Sequence, residues 1–306
     1  MKKIGNSFLL ALTALIWGVA FIAQSVGMEY IKPFTFNGIR SIIGGIVLIP
    51  FVFIFRSLNK KQESEVTKAG EKENIKTLIL GGISCGAVLF VASSLQQYAL
   101  IDTSPGKAGF MTALYIVIVP ILGCFMGKRP SIKLALAAVM SLIGLYFLCF
   151  DGETLVFERG DILLILSAAV FSVHILVIDH FSPKVDGVAM SCIQFIVCGL
   201  LSIAPMLIFE KPEISAIFDA KIPILYAGIM SCAIAYTLQI IGQKNVNPTL
   251  ASLILSLESV FALLGEFVYG RITGAGTTLS SMEVFGCAVV FCAIILAQFP
   301  DRKSKN

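Results

Sequence analysis

Charge is scarce in this chain of 306 residues: Asp, Glu, Lys and Arg together make up 14% of it. A soluble globular domain carries roughly 25%, so the shortage excludes water as the main solvent. Histidine is rarer still, with two copies, and no His/Cys cluster has the spacing of a metal site, so no structural or catalytic metal is expected. The eight cysteines include no CxxC pair and all fall within apolar stretches, where they read as packing residues. No GxxxxGK[ST] loop is present, which excludes ATP hydrolysis by this chain. No cofactor is expected. The net charge of +4 does not point to nucleic acid, because the basic residues segregate by loop.

Apolar residues are what the chain has in abundance, at 57% with a mean hydropathy of +0.90. Ten stretches have the length a helix needs to cross a hydrocarbon core of ~30 Å at 1.5 Å per residue. They lie at 6–26, 34–55, 77–97, 106–126, 132–150, 161–180, 187–208, 222–242, 249–269 and 280–299. Strands of a barrel would be about half as long and alternate in polarity. The fold class is therefore all-α integral membrane. Residues 1–25 resemble a signal peptide but lack a clean small-x-small cleavage site, and read as a retained first helix.

A second pattern organises the ten spans. Leu95-Gln96, Pro105, Ala108, Leu114, Val117, Gly127 and Lys128 reappear 143 residues later as Leu238-Gln239, Pro248, Ala251, Leu257, Val260, Gly270 and Arg271. Earlier in the repeat the offset is 154, matching Ala14, Trp17 and Val19 to Ala168, Phe171 and Val173. The chain is read as two repeats, 1–152 and 153–306. Each holds five spans, an odd number, so the second threads the bilayer in the opposite sense, the pattern of a carrier with inverted repeats. With the N-terminus cytoplasmic, 16 Lys and Arg fall on that side and 6 on the other, with Arg40 inside a span. The positive-inside rule then puts both termini in the cytoplasm. The linker 57–74 balances four lysines against four glutamates and reads as solvated loop or short surface helix.

Trp17-Gly18 in helix 1, Arg40 early in helix 2, Val119-Pro120 in helix 4 and Gly265-Glu266 ending helix 9 occur in an order that resembles the ten-helix EamA branch of the drug/metabolite transporter superfamily. The resemblance covers nearly the whole chain. It implies an inner-membrane exporter or permease of small metabolites, with a central cavity lined by helices of both repeats. Many relatives carry a Gly-Glu pair at the end of helix 4 as well, where this chain has Leu122-Gly123.

Polar groups deep in a bilayer cost at least ~2.5 to 3.5 kcal/mol when ionisable, so they should face the bundle interior or a wet cavity. Glu258 lies near the middle of helix 9, and its repeat partner is Tyr115 in helix 4. Trp17 and His174 fall at similar depth in helices 1 and 6, with Phe171 three residues before His174. These residues, with Tyr236 in helix 8, are expected to converge on one substrate site. There Glu258 holds a substrate ammonium group or takes a proton, with His174 tuning it. The alternative is that each only packs or pairs to order the helices.

Four further residues are candidate gates or charge contacts. Arg40 is close enough to the membrane surface to snorkel. Lys107 follows a Ser104 cap and Pro105 in the first turn of helix 4, where cation and helix N-terminus attract an anionic group. Gln96 and Gln239 are symmetric and fall near opposite ends of the path. Glu266 reads as structural, near Arg271 and the N-terminus of helix 10. Pro50, Pro120 and Pro205 interrupt spans and are expected to kink them.

These readings combine into a secondary transporter with a mixed-charge cavity, suited to zwitterions such as amino acids. Its partners are a small-molecule substrate and the lipid bilayer; protons are a candidate co-substrate and a homo-oligomer a candidate assembly. The rival readings are an efflux carrier for cationic compounds, a membrane-embedded enzyme, for which Asp179-His180 is the only motif fragment, and a sensor without turnover.

Overall fold

In lipid each unpaired backbone group costs several kcal/mol, so a run of apolar residues that spans it closes its own hydrogen bonds as helix. The computed structural model describes residues 2–63, 75–127, 130–149, 158–274 and 278–298, which are helical almost throughout and contain no strand. Among the described residues ten long helices follow in order: α1 (Lys2–Met28), α2 (Pro33–Glu63), α3 (Ile75–Ala99), α4 (Pro105–Phe125), α5 (Ile132–Cys149), α6 (Arg159–Phe181), α7 (Gly187–Glu210), α8 (Lys221–Gln243), α9 (Pro248–Thr273) and α10 (Ser281–Gln298), with a short helix, Ile214–Asp219, between α7 and α8. Among the described residues nine are long and apolar enough to cross a membrane, while the apolar run of α5 is shorter, Ile132–Phe147. The protein is an all-α integral membrane protein.

Of the linker 57–74, read as solvated loop or short surface helix, residues 57–63 continue α2 as helix; 64–74 lie outside the described residues.

Polarity is distributed inside-out. Thr13, Asn37, Ser141, Gln194 and Ser252 are wholly buried, whereas Phe8, Phe53, Ile132 and Phe209 are exposed, as expected where the surroundings are lipid tails and polar groups find partners only within the bundle. Packing crosses between the halves of the chain. α1 lies on α8 and α9, α6 lies on α3 and α4, α2 packs along α7, and α5 along α10. Small residues allow these approaches. A Cβ on Gly45 would stand 2.9 Å from Ile196, and one on Gly199 would stand 2.7 Å from Ile42. At the crossing of α5 and α10 a Cβ on Gly144 would stand 2.9 Å from the Gly286 carbonyl.

Three helices are irregular at mid-depth. α4 consists of Pro105–Thr112 and Tyr115–Phe125, and α9 of Pro248–Leu255 and Leu257–Thr273. At each junction the backbone tightens to a 3₁₀ turn: Ile116 N–H donates to the Ala113 carbonyl at 3.0 Å and Ser259 N–H to the Ser256 carbonyl at 3.2 Å. In α9 the hydroxyls of Ser252, Ser256 and Ser259 each bond the carbonyl three residues back, at 3.0, 2.8 and 2.7 Å. Such back-bonding bends helices. α8 is π-helical over Tyr226–Ala235.

Proline explains only one of the irregularities. Pro50 sits within an unbroken α2, and the α4 junction precedes Pro120 by several residues. Pro205, which has no N–H to give, marks the passage of α7 into the π-helical Met206–Glu210.

Candidate substrate-binding site

Several helix faces meet at mid-bundle. On α1, Trp17, Phe21 and Gln24 follow the i, i+4, i+7 spacing of a single stripe. Thr112 and Tyr115 of α4 and Phe171 and Ile175 of α6 join them. α8 contributes Ser231, Tyr236 and Gln239. Five residues of α-helix would turn Ser231 and Tyr236 to different faces; the π turn, in which Tyr236 N–H donates to the Ser231 carbonyl, returns them to the same one. Arg40 from α2, Gln96 from α3 and Glu258 from α9 complete a chamber of about 30 Å³. One water needs roughly 10–15 Å³ measured this way, so there is room for about two.

Glu258 is 3% exposed and lies in the first turn after the α9 junction, as Tyr115 does after the junction of α4. The Tyr115 phenol lies beside its carboxyl. Glu258 Oε1, Trp17 Nε1 and Gln239 Oε1 have no hydrogen-bond partner among the described residues. Trp17 and Tyr236 close one side of the chamber, with ring centroids 4.5 Å apart. Gln96 Nε2 donates to the Thr112 hydroxyl at 3.0 Å. Gln96 and Gln239, expected near opposite ends of the path, line the same chamber, because they follow the 143-residue repeat on α3 and α8, which face each other across it.

Arg40 does not snorkel. Its side chain is 6% exposed, and Nη1 donates to Gln24 Oε1 at 2.6 Å. The guanidinium lies over the Phe36 ring, 5.4 Å from its centroid, since Phe36 precedes it by one helical turn.

Two expected site residues lie outside the chamber. His174 is 1% exposed, within hydrogen-bond reach of Gln194 Oε1 at 3.2 Å, and its ring makes a T-shaped contact with that of Tyr236, which lines the chamber. Three residues past Phe171 the helix has turned ~60° short of a full circle, enough to aim His174 at α7. Lys107 is at the rim, where Ser104 Oγ caps its N–H at 3.3 Å. Its Nζ is 2.9 Å from Asp161 Oδ1 of α6.

Glu266 corrects another expectation. Its Oε2 accepts from Gly106 N–H at 2.6 Å, so it caps the first turn of α4 rather than that of α10. A second carboxylate that sequence reasoning missed does the same for α2: Glu210 accepts from Phe34 N–H at 2.9 Å, Thr35 N–H at 2.6 Å and the Thr35 hydroxyl at 2.7 Å. A carboxylate at a helix start is stabilised by free amides and the helix dipole. Among chamber residues, Gln24 was legible from its place two turns after Trp17; Thr112 and Ser231 are too small and common in membrane helices to stand out.

A sequence profile of the EamA-like transporter family matches residues 5–150 and 158–299. The chain belongs to that family. Its relatives include an uncharacterized transporter of Archaeoglobus fulgidus, 27% identical over 299 residues and covering 97% of this chain and 86% of that one. YedA of Escherichia coli, described as an uncharacterized inner membrane transporter, is 21% identical over 287 residues, covering 92% and 87%. A solved crystal structure superposes on this EamA-like chain with a TM-score of 0.70 at 19% identity, covering 96% of each chain. At that identity the likeness shows the fold.

Proposed function

We propose that the protein is a secondary transporter that exports small metabolites by alternating access, with amino acids or related zwitterions as cargo. The observation that carries this reading is the chamber: a buried mid-bundle cavity drawn from both halves of the chain, with a carboxylate and a guanidinium among aromatic walls. Carriers place their sites at the midplane between repeats and build them from interrupted helices. α4 and α9 are interrupted at equivalent positions, and Tyr115 and Glu258 stand just past the interruptions.

Residues 1–152 and 153–306 are read as inverted repeats. Supporting this, equivalent residues meet as they do across a two-fold axis, where a contact between i and j recurs between their images. Gly45 meets Ile196, and Gly199, the counterpart of Gly45, meets Ile42, the counterpart of Ile196. Late in the repeat the register slips by one residue, aligning Ile143-Gly144 with Phe285-Gly286, and Gly144 meets its own counterpart, Gly286. The excess of Lys and Arg places both termini in the cytoplasm, which makes the rim where Asn6 Nδ2 donates to the Lys244 carbonyl at 3.0 Å the cytoplasmic one.

A chamber with room for about two waters cannot hold an amino acid, so cargo enters as the lining parts toward one side. Glu258 then holds an ammonium group or takes a proton, and the cargo or proton gradient drives the cycle. Counterflow in proteoliposomes, run with amino acids, permanently cationic drugs and sugars at acid and neutral pH, tests this. Exchange of amino acids is the expected result. Exchange of permanent cations alone replaces the zwitterion reading with cationic efflux, and no exchange of any cargo refutes transport.

A further inference from the structure

Buried charge demands compensation, and Arg40 has little of it. No ion pair of Arg40 exists among the described residues, and its Nε–H is buried without a hydrogen-bond partner. Leaving such a cation unpaired is among the most destabilising arrangements a protein interior can hold. Among the described residues its one hydrogen bond is the Nη1 contact with Gln24, and Arg40 lines the chamber. One turn earlier on α2, Asn37 is wholly buried, and neither of its amide atoms has a hydrogen-bond partner among the described residues.

The guanidinium is also held in place. Gln24 Nε2 donates to the Ala20 carbonyl at 3.2 Å, and Gln97 Nε2 of α3 donates to the Gln24 carbonyl at 3.2 Å. Three helices thus fix the orientation of a planar, permanently charged fork, the geometry that pairs best with a carboxylate. In the second half the place of Arg40 is taken by uncharged Gln194, 154 residues on, so the chamber has its fixed cation on one wall only. Lys107, paired with Asp161 outside the chamber, does not compete for this part.

We propose that Arg40 binds the carboxylate of the cargo and that Gln24 is the positioning residue that presents its guanidinium. This rests on the carrier reading above and deepens it: the cargo bears an anionic carboxylate, with its ammonium end toward Glu258.

The test uses the full chain in proteoliposomes, with counterflow of an amino acid inhibited by the same amino acid, its amide, the corresponding amine and the corresponding carboxylic acid. The free acid should compete roughly 10-fold or more better than the amide, the worth of a charged hydrogen bond. Arg40→Gln should raise KM for the amino acid roughly 10- to 100-fold and erase the preference for acid over amide, with Arg40→Lys recovering part. Gln24→Ala should weaken that preference, and Gln24→Glu should weaken it further by pairing with Arg40 in place of the cargo. A purely structural Gln24 would leave it unchanged.

Should the variants fail to fold, the wild-type comparison still decides. Equal competition by acid and amide, or flux of amines alone, overturns the role of Arg40 while leaving transport intact. Flux of carboxylic acids without amino acids upholds Arg40 and removes the zwitterion. If nothing is transported, thermal stabilisation of the purified protein by carboxylates but not amides upholds the Arg40 site, and its absence overturns it.

Discussion

The Thr13 hydroxyl of α1 reaches the Ala235 carbonyl of α8 at 3.1 Å, across 222 residues of chain. Ser167 of α6 reaches the Ala92 carbonyl of α3 at 2.9 Å, and Ser167 and Ala92 stand at the repeat positions of Thr13 and Ala235. The same bond is therefore made twice, each time from one half of the protein to the other. Thr13→Val and Ser167→Ala should each lower stability by about 0.6 to 1.7 kcal/mol, the range for hydrogen bonds between membrane helices. Thr13→Val should cost less, because its hydroxyl is shared with the Leu9 carbonyl at 3.0 Å. Thermal unfolding in detergent measures both.

Glu258→Gln keeps the size of the side chain and removes its charge. Counterflow of amino acids should fall at least roughly 10-fold, and the remaining flux should lose its dependence on pH. In the wild type, protonation removes the anionic contact for an ammonium group, so affinity should weaken as pH falls. A Gln variant with wild-type flux and pH profile removes Glu258 from the mechanism.

Lys107→Ala opens the ion pair with Asp161. The Lys107 side chain is 37% exposed but that of Asp161 only 4%, so the variant leaves a buried carboxylate with the Glu158 N–H at 3.0 Å as a remaining partner, and the loss should be about 1 to 3 kcal/mol. Because the residue lies outside the chamber, the variant should retain the preference for acid over amide that Arg40→Gln loses. Competition assays on the two variants side by side separate rim from chamber.

Gly18→Ala places a methyl group 2.7 Å from the backbone carbon of Phe261 and 2.8 Å from the Ala262 nitrogen. Backbone on the α9 side cannot rotate away, so α1 and α9 must separate. The expected cost is about 1 to 3 kcal/mol. Transport should drop with it, since these helices carry Trp17 and Glu258. A variant as stable and active as wild type would show that the two helices have slack.

Much of the architecture was legible because a membrane span has to be about 20 apolar residues long. A polar or aromatic residue at mid-depth in such a span has few places to go but the interior, which is how Trp17, Tyr115, Tyr236 and Glu258 could be grouped from sequence. Rotation about the helix axis was not legible. Helices that are apolar nearly all round do not mark their hidden face, so His174 was assigned to the chamber although it points at Gln194. The junctions in α4 and α9 escaped because the serines that tighten α9 look like ordinary packing residues, and no side chain announces the π turn of α8. Glu266 was read as a cap, but its helix could be identified only once α4 and α9 were side by side.

The closeness of Trp17 and Tyr236 has an electrical consequence. Their ring centroids stand 4.5 Å apart, too close for a hydrated ion to pass between them, so under the carrier function proposed above the pair insulates the membrane against ion leak. Under the same proposal, whatever pries the two rings apart decides when that insulation is interrupted, and a cargo that fills the opening keeps ions from following it.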